Sequence, residues 1–135
     1  AAVLEVKLKY LNDYIASRQA AARYYDAAFS GVDQLIVPAH NLKSTHVFHQ
    51  YTLKLKNVDR QALQKYLESK GIPAMIYYPV PLHLQKAYQD VRYQAGDFPV
   101  AEQLSACVLS LPMHTELDEE QLEYITSNVL DFLHK

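Results

Sequence analysis

His46-Val-Phe-His-Gln-Tyr-Thr-Leu-Lys-Leu-Lys56 is the stretch on which the fold turns. In an extended chain Val47, His49, Tyr51, Leu53 and Leu55 fall on one side and Gln50, Thr52, Lys54 and Lys56 on the other, because successive strand side chains point to opposite faces. That period predicts a half-buried strand. Just beyond it, Asp59 can accept the free amides at the start of a helix that carries Leu63, Tyr66 and Leu67 on one face and stops at Gly71. Ile72 to Tyr78 is too short and too rich in β formers to be a second helix. The predicted unit is strand, helix, strand.

Upstream, Leu4, Leu8, Leu11, Ile15, Ala22, Tyr25 and Phe29 recur at spacings of three, four and seven, which predicts one long helix over residues 1–30 with Gly31 as its stop. Pro38 and residues 40–45 read as a loop. Downstream, Pro79 and Pro81 end the extended segment, since proline donates no backbone hydrogen bond and biases its predecessor away from helix. His83 to Tyr88 predicts a helical turn. Asp97, with Pro99 just inside, predicts a helix through Cys107, followed by a short strand at Val108–Leu111 that Pro112 closes. The last helix has the clearest start: Asp118 as N-cap, Gln121 as its capping-box partner, and Leu117 and Leu122 as a hydrophobic staple. Leu122, Ile125, Val129 and Phe132 form its buried stripe. The expected fold is α/β of the α+β type, a small, largely antiparallel sheet flanked by helices with the first helix as a strut.

With 135 residues, half of them apolar, the chain fits one domain. A formal net charge of -2, spread over interspersed acids and bases, offers no basic stripe and points away from nucleic acid. No apolar run approaches the roughly 20 residues that cross a bilayer, and there is no signal-peptide layout, so no membrane partner is expected. A lone cysteine, Cys107, cannot form an intrachain disulfide and suits a reducing cytoplasm; it reads as a small apolar residue on a helix. Ala1 and Ala2 begin inside the helical pattern without a cap, which reads as a chain cut from a longer one.

Most catalytic signatures are missing. There is no Gly-rich phosphate loop, paired-cysteine zinc pattern, HExxH or GxSxG, and only three glycines. What stands out is Tyr77-Tyr78-Pro79-Val80-Pro81-Leu82-His83-Leu84-Gln85, where two phenols, an imidazole and an amide sit on a backbone pinned by two prolines. Such groups donate and accept hydrogen bonds and suit sugar hydroxyls or phosphate oxygens, while fixed φ angles lower the ordering cost of binding. The plainer reading is a strand exit with surface aromatics. His46 and His49, with Gln50 and Tyr51, form a second polar-aromatic group; three apart on a strand, the two imidazoles face opposite ways and do not share a metal. The plainer reading of His49 is a buried or interface imidazole satisfied by hydrogen bonds. His114 follows a strand end and could face an interdomain cleft, though a capping or interface role is the plainer reading, and Glu119 and Glu120 belong to a helix first turn, where acids favour the dipole.

His46-Val-Phe-His-Gln-Tyr51, the Gly71-Ile72 turn, Tyr78-Pro-Val-Pro-Leu-His-Leu-Gln85, Gly96-Asp-Phe-Pro-Val-Ala-Glu102 and Leu109-Ser-Leu-Pro-Met-His114, in this order, closely resemble the carboxyl-terminal portion of the DegT/DnrJ family of sugar aminotransferases. The resemblance covers essentially the whole chain. It implies the carboxyl-terminal small domain of a fold-type-I, pyridoxal-phosphate-dependent homodimer that moves an amino group, usually from glutamate, onto a keto group of a nucleotide-linked sugar, as in surface polysaccharide or amino-sugar biosynthesis. Residues 1–30 would be the helix connecting to a large domain that lies outside this chain and holds the cofactor. It implies no catalytic, cofactor-binding or metal residue here, and a fragment inactive alone. Tyr77, Tyr78 and His83 would face the substrate sugar or its diphosphate, with His49 and Gln50 nearer the domain junction. Many relatives have His at the position of Tyr77, and the double-tyrosine form looks like the branch acting on UDP-linked 3-keto sugars of N-acetylated uronic acids. The competing expectation is a free-standing ligand-binding or regulatory module that reuses the fold.

Overall fold

The computed structural model describes residues 1–41 and 43–134. The helices are α1 (Ala2–Leu8), α2 (Leu11–Ala28), α3 (Arg60–Ser69), α4 (Pro99–Cys107) and α5 (Glu119–Leu133). The strands β1 (Leu35–Ile36), β2 (Tyr51–Leu55) and β3 (Val108–Leu111) form an antiparallel sheet in the order β1-β2-β3. The small antiparallel sheet flanked by helices is as the sequence predicts.

The alternation of β2 decides its placement. Tyr51, Leu53 and Leu55 are buried, Thr52 is half-buried and Lys54 is exposed, so one face meets the core. In register Tyr51 lies opposite Leu111 and Leu53 opposite Leu109, which stacks the apolar pairs of two strands on the core side. β3 is buried at all four positions. Its far edge is covered, because Met75 and Ser110 exchange both main-chain hydrogen bonds, at 2.9 and 2.7 Å. The buried Ser110 hydroxyl lies 2.8 Å from Thr52 Oγ1, so β3 holds a polar side chain in the interior without leaving it unpaired.

The helices close over this sheet. α3 buries Leu63 and Leu67, and α5 buries Leu122, Ile125 and Val129 of the predicted stripe, with Phe132 half-buried at its end. Asp59 Oδ1 accepts from the amides of Gln61 and Ala62 at 3.0 Å each. Asp118 and Gln121 form the reciprocal capping box, at 2.8 and 3.2 Å. α3 ends where Gly71 takes φ +72°, which lets the Ile72 amide fold back onto the Leu67 carbonyl at 2.9 Å. α2 is pinned through Tyr25, fully buried, whose hydroxyl donates to the Pro112 carbonyl at 2.9 Å and whose ring lies 4.8 Å from that of Tyr51.

Four expectations need correction. The single helix over 1–30 is broken at Lys9–Tyr10, and Leu4, Leu8 and Leu11 are exposed; α1 buries no residue, so packing within this chain does not hold it in line with α2. The strand begins at Tyr51 rather than His46: Phe48 adopts φ +48°, which reverses the alternation, so that Phe48 is buried while Val47 and His49 are exposed. Ile72 to Tyr78 contributes only the Met75 bridge. Asp97 does not cap α4; its carboxylate accepts from the Gln94 amide at 2.8 Å, and Phe98 occupies the N-cap position. The helical reading of 82–88 appears as two short 3₁₀ turns, Leu82–Leu84 and Lys86–Tyr88, and β3 has the expected bounds.

Because Leu53 is fully buried in the central strand, Leu53→Ala is expected to cost about 2–5 kcal/mol. Removing the α5 cap by Asp118→Ala costs about 1 kcal/mol. Urea denaturation of both variants measures the difference; equal losses would show that the sheet is not the centre of the core.

Candidate functional site

The segment from Tyr77 to Gln85 is shaped by its prolines and by what its side chains hold. Pro81 is extended, and the chain then turns, with the Leu84 amide on the Pro81 carbonyl at 3.0 Å and Gln85 Nε2 on the Val80 carbonyl at 3.1 Å. Gln85 therefore closes its own loop. The Tyr77–Tyr78 peptide is cis, and the two rings meet edge to face at 5.9 Å.

His83 points back into the fold. Its side chain is only 9% exposed, its Nε2 lies 3.0 Å from Glu102 Oε1, and its ring lies 4.8 Å from that of Phe98. Glu102, on α4, gathers more than the imidazole. Oε1 accepts from the Gly96 amide at 2.9 Å and from the Phe98 amide at 3.4 Å, and Oε2 accepts from Gly96 at 3.1 Å. Hydrogen bonding from the Gly96 amide, assisted by His83 and Phe98 and opposed by partial desolvation, holds the Glu102 carboxyl below the usual glutamate range. The turn can approach this closely because Gly96 takes φ +96°.

Five residues were expected to face a ligand, and they line four separate surfaces. His49, Gln50 and Tyr77 meet around one cavity of about 180 Å³, with Met75, Ser110 and Met113. Tyr78, 70% exposed, lies beside Pro79, Val80, Leu84 and Lys86. His83 borders an aromatic hollow of about 400 Å³ with Tyr88, Tyr93 and Phe98. His49 also borders a larger cleft of about 650 Å³ between the first two helices and the Thr115–Glu116 turn, with Lys7, Tyr14 and Arg18. The structure brings Tyr77 together with His49 and Gln50 and sets Tyr78 and His83 on surfaces of their own.

Sequence reasoning missed three organising groups. Arg18 Nη1 donates to the carbonyls of Phe48, His49 and Met113 at 3.1, 3.2 and 3.3 Å, tying the loop before β2 to the loop after β3. Asp26 receives the Tyr51 hydroxyl at 2.6 Å and lies 2.8 Å from His40 Nε2. Burial, with Asp26 adding to it, pushes the Tyr51 phenol far up, so it stays a neutral donor. Glu102 lay inside a quoted motif but read only as part of a helix start. A hydrogen bond across 31 or 95 residues leaves no periodic mark on a sequence.

His46 and His114 are engaged locally. The Phe48 amide donates to His46 Nδ1 at 2.8 Å and the Glu116 amide to His114 Nδ1 at 3.3 Å, so both imidazoles shape turns. Among the described residues no group of three His, Cys, Asp or Glu side chains is placed to hold a metal. Every described lysine is exposed. A lysine that anchors pyridoxal phosphate as a neutral amine needs desolvation or a neighbouring cation, so the described lysines do not fit that role. No helix among the described residues is long and apolar enough to cross a membrane.

The same fold, a small antiparallel sheet under helices, occurs in a solved aminotransferase. A DegT DnrJ EryC1 StrS aminotransferase from Brucella abortus superposes over 99% of this chain and 35% of its own, with TM-score 0.88 and 37% identity. The chain belongs to the DegT/DnrJ/EryC1/StrS aminotransferase family, whose model matches residues 1–130. It is similar to the pleiotropic regulatory protein of Geobacillus stearothermophilus, 39% identical over 98% of this chain and 36% of that protein. It is 39% identical over 99% of its length to the UDP-N-acetyl-3-dehydro-alpha-D-glucosamine 3-aminotransferase of Acidithiobacillus ferrooxidans, covering 35% of it. It is also 34% identical over 96% of its length to the dTDP-3-amino-3,6-dideoxy-alpha-D-galactopyranose transaminase of Aneurinibacillus thermoaerophilus, covering 34%. The chain thus spans about a third of the length of these relatives.

The lowered Glu102 carboxyl carries a pH dependence of definite sign. A group whose folded value lies below its unfolded one stabilises the fold fully above the ordinary glutamate value of about 4.3 and loses that contribution as pH falls through the lowered value. An acid titration followed by NMR should therefore show the Gly96 amide resonance moving below the ordinary glutamate range; a Gly96 midpoint at or above about 4.3 would contradict it.

Proposed function

We propose that this chain is the substrate-facing small domain of a pyridoxal-phosphate-dependent aminotransferase that transfers an amino group from glutamate to a keto-sugar nucleotide. The observation that carries the reading is the Tyr77–Gln85 loop, which sets two tyrosines and an imidazole on a proline-fixed backbone in a chain of aminotransferase family membership. The substrate we favour is a UDP-linked 3-keto sugar, for which the double tyrosine and the UDP-sugar relative both speak. The cofactor would be held by a large domain outside this chain, in a cytoplasmic homodimer. Residues 1–30, with an exposed apolar stripe at Leu4, Leu8 and Leu11, would join the two domains.

In this reading the chain binds and orients while the cofactor carries the amino-group chemistry. The Tyr78 phenol is free to donate to a sugar or diphosphate oxygen, and His49, Gln50 and Tyr77 line a small cleft that would lie toward the large domain. Binding energy from these remote contacts would fix the keto carbon against the reacting nitrogen. The competing reading, a ligand-binding or regulatory module without chemistry, draws support from the relative named as a regulatory protein.

The test uses the full-length protein with glutamate and a UDP-linked 3-keto N-acetylated sugar. Amino-sugar formation is expected, with Tyr78→Phe and His83→Ala each lowering kcat/KM by about 1–3 kcal/mol, the cost of a buried partner left unpaired. A full-length protein that purifies without pyridoxal phosphate and forms no amino sugar would favour the regulatory reading. Unchanged kcat/KM in both variants would make Tyr78 and His83 structural.

A further inference from the structure

His83 and Glu102 are brought together from a loop and a helix 19 residues apart, and the pair is more than a tether. An ionised carboxylate only accepts hydrogen bonds, so Nε2 is the imidazole nitrogen that carries the proton in this contact. The other ring nitrogen, Nδ1, has no partner among the described residues and is not a sealed, orphaned atom. Phe98, 4.8 Å away, packs against the ring and is itself backed by Tyr93 at 5.5 Å, which limits how the ring can turn. Glu102 is in turn fixed by the main-chain amides of Gly96 and Phe98.

We propose that Glu102 is a positioning residue for the substrate-facing loop, holding His83 as the Nε2–H tautomer so that Nδ1 is presented as a hydrogen-bond acceptor to a ligand hydroxyl. A bare Nδ1 accepts from an O–H donor and has nothing to give a phosphate oxygen, so the imidazole selects sugar hydroxyl over diphosphate. This narrows the role given to His83 above and rests, for its kinetic arm alone, on the aminotransferase reading. The same carboxylate sets loop and helix together: Oε1 is shared among His83, Gly96 and Phe98, so removing Glu102 takes the acceptor from the imidazole and from both amides at once. The arrangement is that of an orienting group behind a working imidazole, in which the second partner fixes tautomer and ring direction.

The experiment uses the full-length protein labelled with ¹⁵N-histidine, at a pH where the ring is neutral. The His83 signals should show a protonated Nε2 and a bare Nδ1. Glu102→Ala should give mixed tautomers and raise KM for the sugar nucleotide about tenfold, the loss of one oriented hydrogen bond, with kcat changed less than about threefold. Glu102→Gln keeps a carbonyl acceptor at the same place and should restore both the tautomer and KM. A wild-type His83 carrying its proton on Nδ1 overturns the proposal. So does a Glu102→Gln variant as impaired as Glu102→Ala, which would move the role from hydrogen-bond geometry to charge. If the full-length protein turns over no sugar nucleotide, the aminotransferase reading fails while the imidazole spectrum still decides the role of Glu102.

Discussion

The buried face of β2 is the constraint on which the rest of the molecule depends. A sheet of three short strands, one of two residues, cannot hold itself together in water and is stable only when a hydrophobic face is covered. Tyr51, Leu53 and Leu55 supply that face, and they share one core with Ala22 and Tyr25 of α2, Leu63 and Leu67 of α3 and Leu122, Ile125 and Val129 of α5. α2 does so through Tyr25, whose ring meets Tyr51 and whose hydroxyl holds the chain just beyond β3. Asp26, the next residue, takes the Tyr51 hydroxyl, so the deepest aromatic pair is packed on one side and hydrogen-bonded on the other. A buried phenol without such a partner would cost about 1–3 kcal/mol. The pairing of neighbouring helix residues with one strand residue thus fixes both the depth and the rotation of α2.

What could be read from the sequence was what local chemistry writes into it. The Asp59 and Asp118 caps, the Gly71 stop, the α5 stripe and β3 all depend on residues within a few positions of one another, and they stand where expected. The errors have the opposite origin. β1 is two residues long and exists because Leu35 and Ile36 find β2; no pattern of their own announces it. The Lys9–Tyr10 break interrupts an intact helical period, since periodicity reports which face is apolar and says nothing of whether that face is covered. Asp97 looked like a cap by type and position, but Pro99, two residues on, has no N–H to give it, and its carboxylate accepts from the Gln94 amide instead. Of the site, the residue types in the Tyr77–Gln85 loop were legible. Arg18 and Glu102, which decide where the flanking loops sit, were not.

The failure at Phe48 is the instructive one. Regular alternation through residues 46–56 would have placed His49 on the buried side, in line with Tyr51, where an imidazole must find partners for both nitrogens or change its ionisation. The chain instead adopts a positive φ at Phe48, a conformation that costs a bulky residue about 1–3 kcal/mol and that is kept only where surroundings enforce it. Here the enforcement is visible: the Phe48 ring is buried against Tyr51 and His46, and Arg18 holds the Phe48 and His49 carbonyls together. The outcome exchanges a polar residue for an apolar one in the core and delivers His49 to the cleft that it shares with Gln50 and Tyr77. The segment facing it across that cleft, Ile72 to Tyr78, likewise forgoes regular strand pairing beyond Met75. Regular strand geometry is thus lost on both sides of one cavity, at Phe48 and across Ile72 to Tyr78, while β2 and β3 keep their register beside it.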